Sequence, residues 1–204
     1  MRLAAFVDLE TLAIETDAVI LSCGICVVDM DQCNTFEELI QQGVNIYFDQ
    51  DSQIAKGRIV SQSTLEWWGN QGPEAQHCLN NPNKVNIRDF YAVLNPVFHQ
   101  LGLGDSPYHS ARKKLKWYAR GPHFDISKME SLFTDFNVTP PWKYYNIRDI
   151  RTWLECNGLE DNLKLVKPSS MIPHNSLHDA AFDGWMMQQI IHGKELNIDR
   201  SKIR

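Results

Sequence analysis

Two acidic residues near the amino terminus could together bind cations. Asp8 and Glu10 are separated by one residue, at the end of the apolar segment Leu3–Leu9. Side chains two positions apart on a β-strand point to the same face, so both carboxylates would project together. Like charges at this separation repel each other unless cations lie between them. The pair therefore predicts a cation site, although the same pattern is also typical of a strand that ends in solvent.

A later acid and a histidine–acid pair could complete such a site. Asp125 follows the chain break Gly121-Pro122, where the start of a helix would also favour an acid through the helix dipole. His178 and Asp183 fall in the first turns of the last predicted helix. Five helical steps separate them by roughly 140° around a regular helix, so they converge only if His178 occupies the irregular helix entry. The hypothesis is that all three residues face the same cations.

Neighbouring residues offer alternatives to this assignment. His174 is close to His178 in sequence, but it lacks the five-residue relation to Asp183. We therefore rank it behind His178 as a proton acceptor. Asp149 and Asp179 are acids that position alone would confuse with cation ligands, and neither is assigned to the site.

Apolar periodicity predicts the elements that must hold these residues. Leu3–Leu9 and Val19–Asp29 are predicted strands, and a third alternates within residues 35–48. A capping box from Ser63 to Glu66 predicts a short helix. Three strands followed by alternating helices and strands indicate an α/β fold with a mixed sheet. The later elements are helices over Asn86–Leu101, Phe124–Phe136, Asp149–Glu155 and Asp179–His192, with strands over Leu115–Ala119 and Tyr144–Ile147.

The order of the candidate residues resembles that of the DEDDh exonucleases. In that family an Asp-x-Glu lies on the first strand, an Asp at a later helix start and a histidine–acid pair on the last helix. Within the family, the similarity points to the exonuclease A group of T-even-type bacteriophages and a related branch of bacterial 3′–5′ exoribonucleases. The matching segments are Thr35–Leu39, Ser63–Trp68, Arg120-Gly121, Phe124-Asp125, Asn146–Thr152 and His174–Asp179.

The resemblance implies a ribonuclease H-like fold, with a mixed sheet flanked by helices and residues 1–204 as a single 3′–5′ exonuclease domain. It implies two divalent ions held by Asp8, Glu10, Asp125 and Asp183, with His178 as the base that takes a proton from water. Oxygen ligands favour Mg²⁺ or Mn²⁺ over zinc. The expected substrate is single-stranded DNA with a free 3′ end, released as nucleoside 5′-monophosphates, with RNA as the alternative.

Four residues are candidates for contacts with the terminal nucleotide. The resemblance places the terminal sugar near Thr11 and Leu12. They offer one hydroxyl and an apolar surface, rather than a set of hydrogen-bonding partners for a 2′-hydroxyl. Trp67 or Trp68 could stack on a base, although tryptophans are more often core residues. This composition of the site predicts a preference for DNA.

The overall charge requires that any polyanion bind locally. The formal net charge is −5, whereas proteins that hold nucleic acid by charge alone are usually basic. Bound cations would reverse the local sign. A basic stretch over residues 112–120, which ends at Arg120, could follow the substrate backbone, or it could be a solvated loop.

Other compositional features bear on the compartment and on rival functions. Five scattered cysteines, no predicted signal peptide and no apolar stretch of membrane-spanning length predict a cytoplasmic protein, in the host cytoplasm if a phage encodes it. No obligate protein partner is indicated. A nucleic-acid-binding module without catalysis is one rival, but it would have no reason to retain converging acids. A zinc hydrolase is another, but H-E-x-x-H and paired C-x-x-C motifs are absent.

Overall fold

The computed structural model describes residues 2–104, 109–159 and 166–193, and its strands form one mixed sheet. The strand order is β3-β2-β1-β4-β5, with β2 antiparallel to both neighbours and β4 parallel to β1 and β5. This arrangement confirms the predicted α/β class, a ribonuclease H-like mixed sheet flanked by helices. The strands are β1 (Leu3–Thr11), β2 (Ile20–Asp29), β3 (Val44–Tyr47), β4 (Lys116–Ala119) and β5 (Ile147–Asp149).

Helices cover both faces of the sheet. The helices are α1 (Phe36–Gln42), α2 (Gln50–Ile54), α3 (Gln62–Gly69), α4 (Pro73–Asn80), α5 (Phe90–Gln100), α6 (Ser110–Lys114), α7 (Asp125–Phe136), α8 (Ile150–Cys156) and α9 (Ser176–Ile191). Within the described ranges, no helix combines the length and apolar character that crossing a membrane requires.

The alternation of β1 decides which face carries the acids. Val7 and Leu9 pack into the core shared with α5 and α7, whereas Phe6 packs into the core shared with α9. Because side chains alternate along a strand, Asp8 and Glu10 lie on the Phe6 side. The two acids therefore project toward α9, as their spacing predicts.

A glycine allows α9 to approach the sheet closely at this point. Gly24 of β2 pairs with Asp8 of β1. A Cβ atom built at Gly24 would lie 2.1 Å from the backbone carbonyl carbon of Ser176, the first residue of α9. The hydroxyl of Ser176 also hydrogen-bonds the hydroxyl of Ser22, at 2.8 Å. The first turn of α9 is therefore fixed directly beside the acidic strand.

Two local predictions were wrong in their details. A capping box was predicted from Ser63 to Glu66, but the capping box in the structure is at the start of α1. There Thr35 Oγ1 accepts from Glu38 N at 3.2 Å, and Glu38 Oε2 accepts from Thr35 N at 2.9 Å. Helix α3 instead begins after Ser61, whose hydroxyl bonds that of Ser63 rather than the helix backbone. Residues 144–146, which were predicted to open the fifth strand, form a 3₁₀ turn that precedes β5.

Candidate active site

A cavity of about 590 Å³ opens where β1 ends. β1 contributes its acids, α3 contributes Trp67, and the first two turns of α9 contribute Asp179 and Asp183. Arg120 and Phe124 lie on the segment between β4 and α7. Four separate parts of the chain therefore meet around one volume. The other lining residues are Leu9, Thr11, Ala13, Ile14, Ser63, Thr64, Trp68, Lys167, His174 and Phe182.

Three carboxylates converge in this cavity. One oxygen from each of Asp8, Glu10 and Asp179 can be chosen so that all lie within 4.8 Å of one another. Asp125 is buried and is not a lining residue, but its charge raises the pKa of Asp8. The convergence of Asp8 and Glu10 follows their strand spacing, and Asp179 joins them from the first turn of α9.

Burial and mutual repulsion disfavour the ionised forms of these acids. Burial, followed by the charges of Asp125 and Asp179, holds the pKa of Asp8 well above its usual value. Burial is also the main cause that raises the pKa of Glu10 to about 8, of Asp125 to about 7 and of Asp179 to about 6. Cations between the carboxylates would reverse this effect. A donor set of carboxylate oxygens alone fits Mg²⁺ or Mn²⁺.

Asp183 lines the same cavity but forms an ion pair with Arg120. Arg120 Nη2 lies 2.6 Å from Asp183 Oδ1, and Arg120 Nε donates to the same oxygen at 3.1 Å. Burial raises the pKa of Asp183, and the Arg120 guanidinium opposes that rise. The predicted metal ligand is therefore engaged in a largely buried ion pair.

The structure contradicts the predicted convergence of His178 with the carboxylates. α9 begins at Ser176, so His178 lies in its first turn and not at an irregular entry. The His178 ring packs edge-on against Phe36, with 5.8 Å between centroids, and its Nδ1 accepts from Ile172 N at 3.0 Å. Regular helix geometry directs it away from Asp183, and it does not line the cavity.

His174 is the histidine that lines the cavity. It precedes α9 and has a left-handed backbone, with a φ of 58°. Its ring lies edge-on to Trp67, with 4.8 Å between centroids. Burial, followed by the charge of Lys167, lowers its pKa below the usual 6.5. The imidazole is therefore neutral, and able to accept a proton, at neutral pH.

The sequence contains the same histidine–acid spacing twice. His174 and Asp179 are five positions apart, as are His178 and Asp183. The second pair follows the first by about one helical turn. In the first pair, His174 has an irregular backbone and Asp179 lies close to Asp8. The sequence interpretation expected this geometry of the second pair, His178 and Asp183, which does not have it.

The residues that were predicted to contact substrate differ in how accessible their side chains are. Thr11 lines the cavity, and its hydroxyl donates to the Ala13 carbonyl at 2.8 Å. Leu12 is buried in a small core and does not line the cavity, so its predicted contact with a sugar is contradicted. Trp68 is also buried, and its indole donates to the Thr11 carbonyl at 3.0 Å. Trp67 is 42% exposed and offers the accessible aromatic wall.

The predicted basic stretch does not form a continuous surface. Arg112 is buried, lies over the Phe98 ring at 4.6 Å, and donates to Asn95 Oδ1 at 2.9 Å. Lys116 donates to Asn146 Oδ1 at 2.7 Å. Both side chains are therefore held within the fold.

Several lining residues were not predicted, among them two exposed apolar side chains and one lysine. Ile14 is 78% exposed and lies between β1 and β2, Phe124 is 38% exposed at the start of α7, and Lys167 precedes α9. An apolar or basic residue in a loop gives no periodic signal. Only the fold brings them to the cavity.

Comparison with known proteins identifies the family of this chain. The model of the 3′–5′ exoribonuclease Rv2179c-like domain matches residues 4–191. The exodeoxyribonuclease of Enterobacteria phage T4 is 29% identical over an alignment of 210 positions, and the alignment covers 89% of this chain and 86% of the relative. The nuclease domain of 3′hExo, a DEDDh family member bound to rAMP, has a TM-score of 0.49 at 14% identity over 98% of this chain and 96% of its own. Cell-death related nuclease 4 has a TM-score of 0.48 at 11% identity over 97% of this chain and 67% of its own. The chain therefore belongs to the Rv2179c-like 3′–5′ exoribonuclease domain family.

Proposed function

We propose that this protein hydrolyses single-stranded DNA from a free 3′ end and releases nucleoside 5′-monophosphates. The observation that carries the proposal is the convergence of Asp8, Glu10 and Asp179 beside His174 in one open cavity. In a nuclease, two divalent cations at such a site activate the attacking water and stabilise the leaving oxygen. The cations are Mg²⁺ or Mn²⁺, in keeping with the oxygen donors.

The residues have separate roles in this proposal. Asp8, Glu10 and Asp179 would hold the cations, and the buried Asp125 would add its negative charge to the same cluster. His174 accepts a proton from the attacking water, a role that its lowered pKa suits. These assignments replace the predicted roles of Asp183 and His178.

Other groups would bind the end of the strand. Trp67 presents an exposed aromatic face on which a base can stack. Arg120 lines the cavity beside the carboxylates, where its guanidinium can attract a phosphate without displacing Asp183.

Two observations favour DNA over RNA. The Thr11 hydroxyl already donates to the Ala13 carbonyl, so it cannot donate to a 2′-hydroxyl. The T4 relative is described as an exodeoxyribonuclease. RNA is the second candidate substrate, favoured by the description of the matching domain family as an exoribonuclease.

A matched digestion tests this function. DNA and RNA strands of one sequence, labelled at the 5′ end, are incubated with Mg²⁺, with Mn²⁺ or with a chelator at one salt concentration. We expect ladders that shorten from the 3′ end, faster with DNA, and no digestion with a chelator or a 3′-phosphate. A faster RNA ladder would make the protein an exoribonuclease. Release of the 5′ label as a mononucleotide at early times would refute the proposed direction.

A further inference from the structure

Lys128 is a buried cation that contacts two parts of the cavity wall. It lies in α7 and is 2% exposed. Its Nζ donates to the Ile14 carbonyl at 2.7 Å and lies 3.5 Å from the centroid of the Phe124 ring. Ile14 and Phe124 both line the cavity, whereas Lys128 itself does not. One ammonium group thus joins the loop that follows β1 to the segment that opens α7.

The same loop is held by a second buried cation. Arg58 donates through Nε to the Ala18 carbonyl at 2.9 Å and through Nη2 to the Thr16 carbonyl at 3.4 Å. Asp135 of α7 balances its charge, with Nη1 and Oδ2 2.6 Å apart. Lys128 and Arg58 therefore connect the loop between β1 and β2 to α7 through the carbonyls of Ile14, Thr16 and Ala18. The side chain of Ile14, which is exposed, extends from this anchored backbone.

Burying a lysine is unfavourable unless its charge is compensated. A methionine would fill the same space without this cost. The Lys128 ammonium contacts two groups at the cavity, one carbonyl and one aromatic face, and the charges of Asp125, Glu15 and Arg58 lie close by. This concentration at one edge of the cavity points to a role in shaping that edge.

We propose that Lys128 is a positioning residue for the substrate, which fixes Ile14 and Phe124 as the apolar rim that receives the terminal nucleotide. The inference rests on the proposed function, because it requires that the strand end enter this cavity. Lys128 does not touch the nucleotide. It sets the separation between two groups that do, so its loss should weaken substrate binding more than the chemical step.

The test compares Lys128→Met with Lys56→Met. Lys56 is the control for loss of a lysine over a phenylalanine of α7: its Nζ lies over Phe136 at 5.6 Å, but it is exposed and lies at the far end of that helix from Asp125. The steady-state constants kcat and KM are measured on a short single strand and on the p-nitrophenyl ester of a nucleoside 5′-monophosphate, which presents one nucleotide alone. Mn²⁺ affinity is measured separately by titration without substrate.

We expect Lys128→Met to raise KM on both substrates by about tenfold or more, with kcat changed by less than about threefold. Lys56→Met should leave both constants unchanged. Lys128→Arg should have a KM between those of the wild type and Lys128→Met, because a guanidinium can also bond the carbonyl and stack on the ring. Mn²⁺ affinity should be the same in all variants.

Three results would overturn the inference. Equal KM values in the Lys128→Met and Lys56→Met proteins would make Lys128 a purely structural residue. A fall in kcat and Mn²⁺ affinity at unchanged KM would mean that Lys128 acts through Asp125. A wild-type protein that cleaves neither substrate would refute the proposed function, and the positioning role with it.

Two further variants keep the inference testable if Lys128→Met does not fold. Ile14→Ala and Phe124→Ala truncate side chains that are exposed at the rim, so both proteins should fold. Each should raise KM with little change in kcat. If neither variant changes KM, the rim does not bind the nucleotide and Lys128 has nothing to position.

Discussion

Asp179 and Asp183 differ in what balances their charge. Asp183 is paired with Arg120 at 2.6 Å, whereas Asp179 shares its space with Asp8 and Glu10. A carboxylate that has an arginine partner has less reason to bind a metal ion. Of these two acids, Asp179 is therefore the one whose ionised form depends more on bound cations, although the charge of Lys167 also favours it.

This difference predicts unequal effects for two single substitutions. Asp179→Asn should lower kcat by about a hundredfold or more, the scale of losing one preorganised electrostatic group, and should weaken Mn²⁺ binding. Asp183→Asn should leave Mn²⁺ affinity unchanged and reduce kcat by less than about tenfold. Titration with Mn²⁺ and single-turnover kinetics measure both effects. The opposite ranking would restore Asp183 as the ligand.

The pH dependence of the rate should identify the base. Because the pKa of His174 is lowered, the neutral imidazole forms as pH rises and kcat should increase with a midpoint below 6.5. Lys167→Met should move that midpoint upward, because the Lys167 charge opposes protonation of the ring. Loss of the base in His174→Gln should cost about 10²–10⁴ in rate. His178→Gln is the matched control, and an equal loss there would contradict the assignment.

At the scale of elements, the contact between Gly24 and α9 sets the distances within the site. A methyl group at Gly24 would collide with the backbone of Ser176, so the first turn of α9 would have to move away from β1. Asp179 belongs to that turn and would move with it.

Gly24→Ala should therefore lower activity although it removes no reactive group. We expect a loss of about a hundredfold, the usual effect of a shift near 1 Å, and a destabilisation of about 1–3 kcal/mol. Gly69→Ala is the control, because a Cβ atom there would meet nothing within 4 Å. Activity assays are compared with thermal unfolding. A Gly24→Ala protein with full activity would show that α9 tolerates the displacement.

Strand spacing was sufficient to predict part of the site. Asp8 and Glu10 share a face because of the two-residue period of β1, and this prediction depends on no distant contact. The choice between His174 and His178 depends on where α9 begins, and helix ends are the least certain feature of a sequence. Ile14 and Phe124 reach the cavity through loop contacts with Lys128, for which the sequence has no pattern.

At the scale of the whole molecule, the acids couple stability to pH and to metal. Their pKa values are raised in the folded state, to about 8 for Glu10, about 7 for Asp125 and about 6 for Asp179. Such groups stabilise the fold at pH values below their unfolded pKa. This contribution is lost as pH rises through the folded values.

The metal-free protein should therefore be more stable near pH 5 than near pH 8. We expect its melting temperature to fall over this interval by on the order of 5 °C, since about 1 kcal/mol corresponds to about 2–4 °C in a domain of this size. Saturating Mn²⁺ should remove most of the fall at pH 8. Thermal unfolding in chelator and in Mn²⁺ measures this. A melting temperature that rises with pH in chelator would contradict the raised pKa values.

The backbone of His174 also guides the choice of an inactive protein for trapping substrate complexes. Its φ of 58° is accessible to asparagine at lower cost than to most residues with a side chain. His174→Asn would remove the proton acceptor and retain a conformation suited to that turn. His174→Ala would remove the same group but add backbone strain immediately before α9. For crystals of the protein with an intact strand, the asparagine variant is therefore the better starting point.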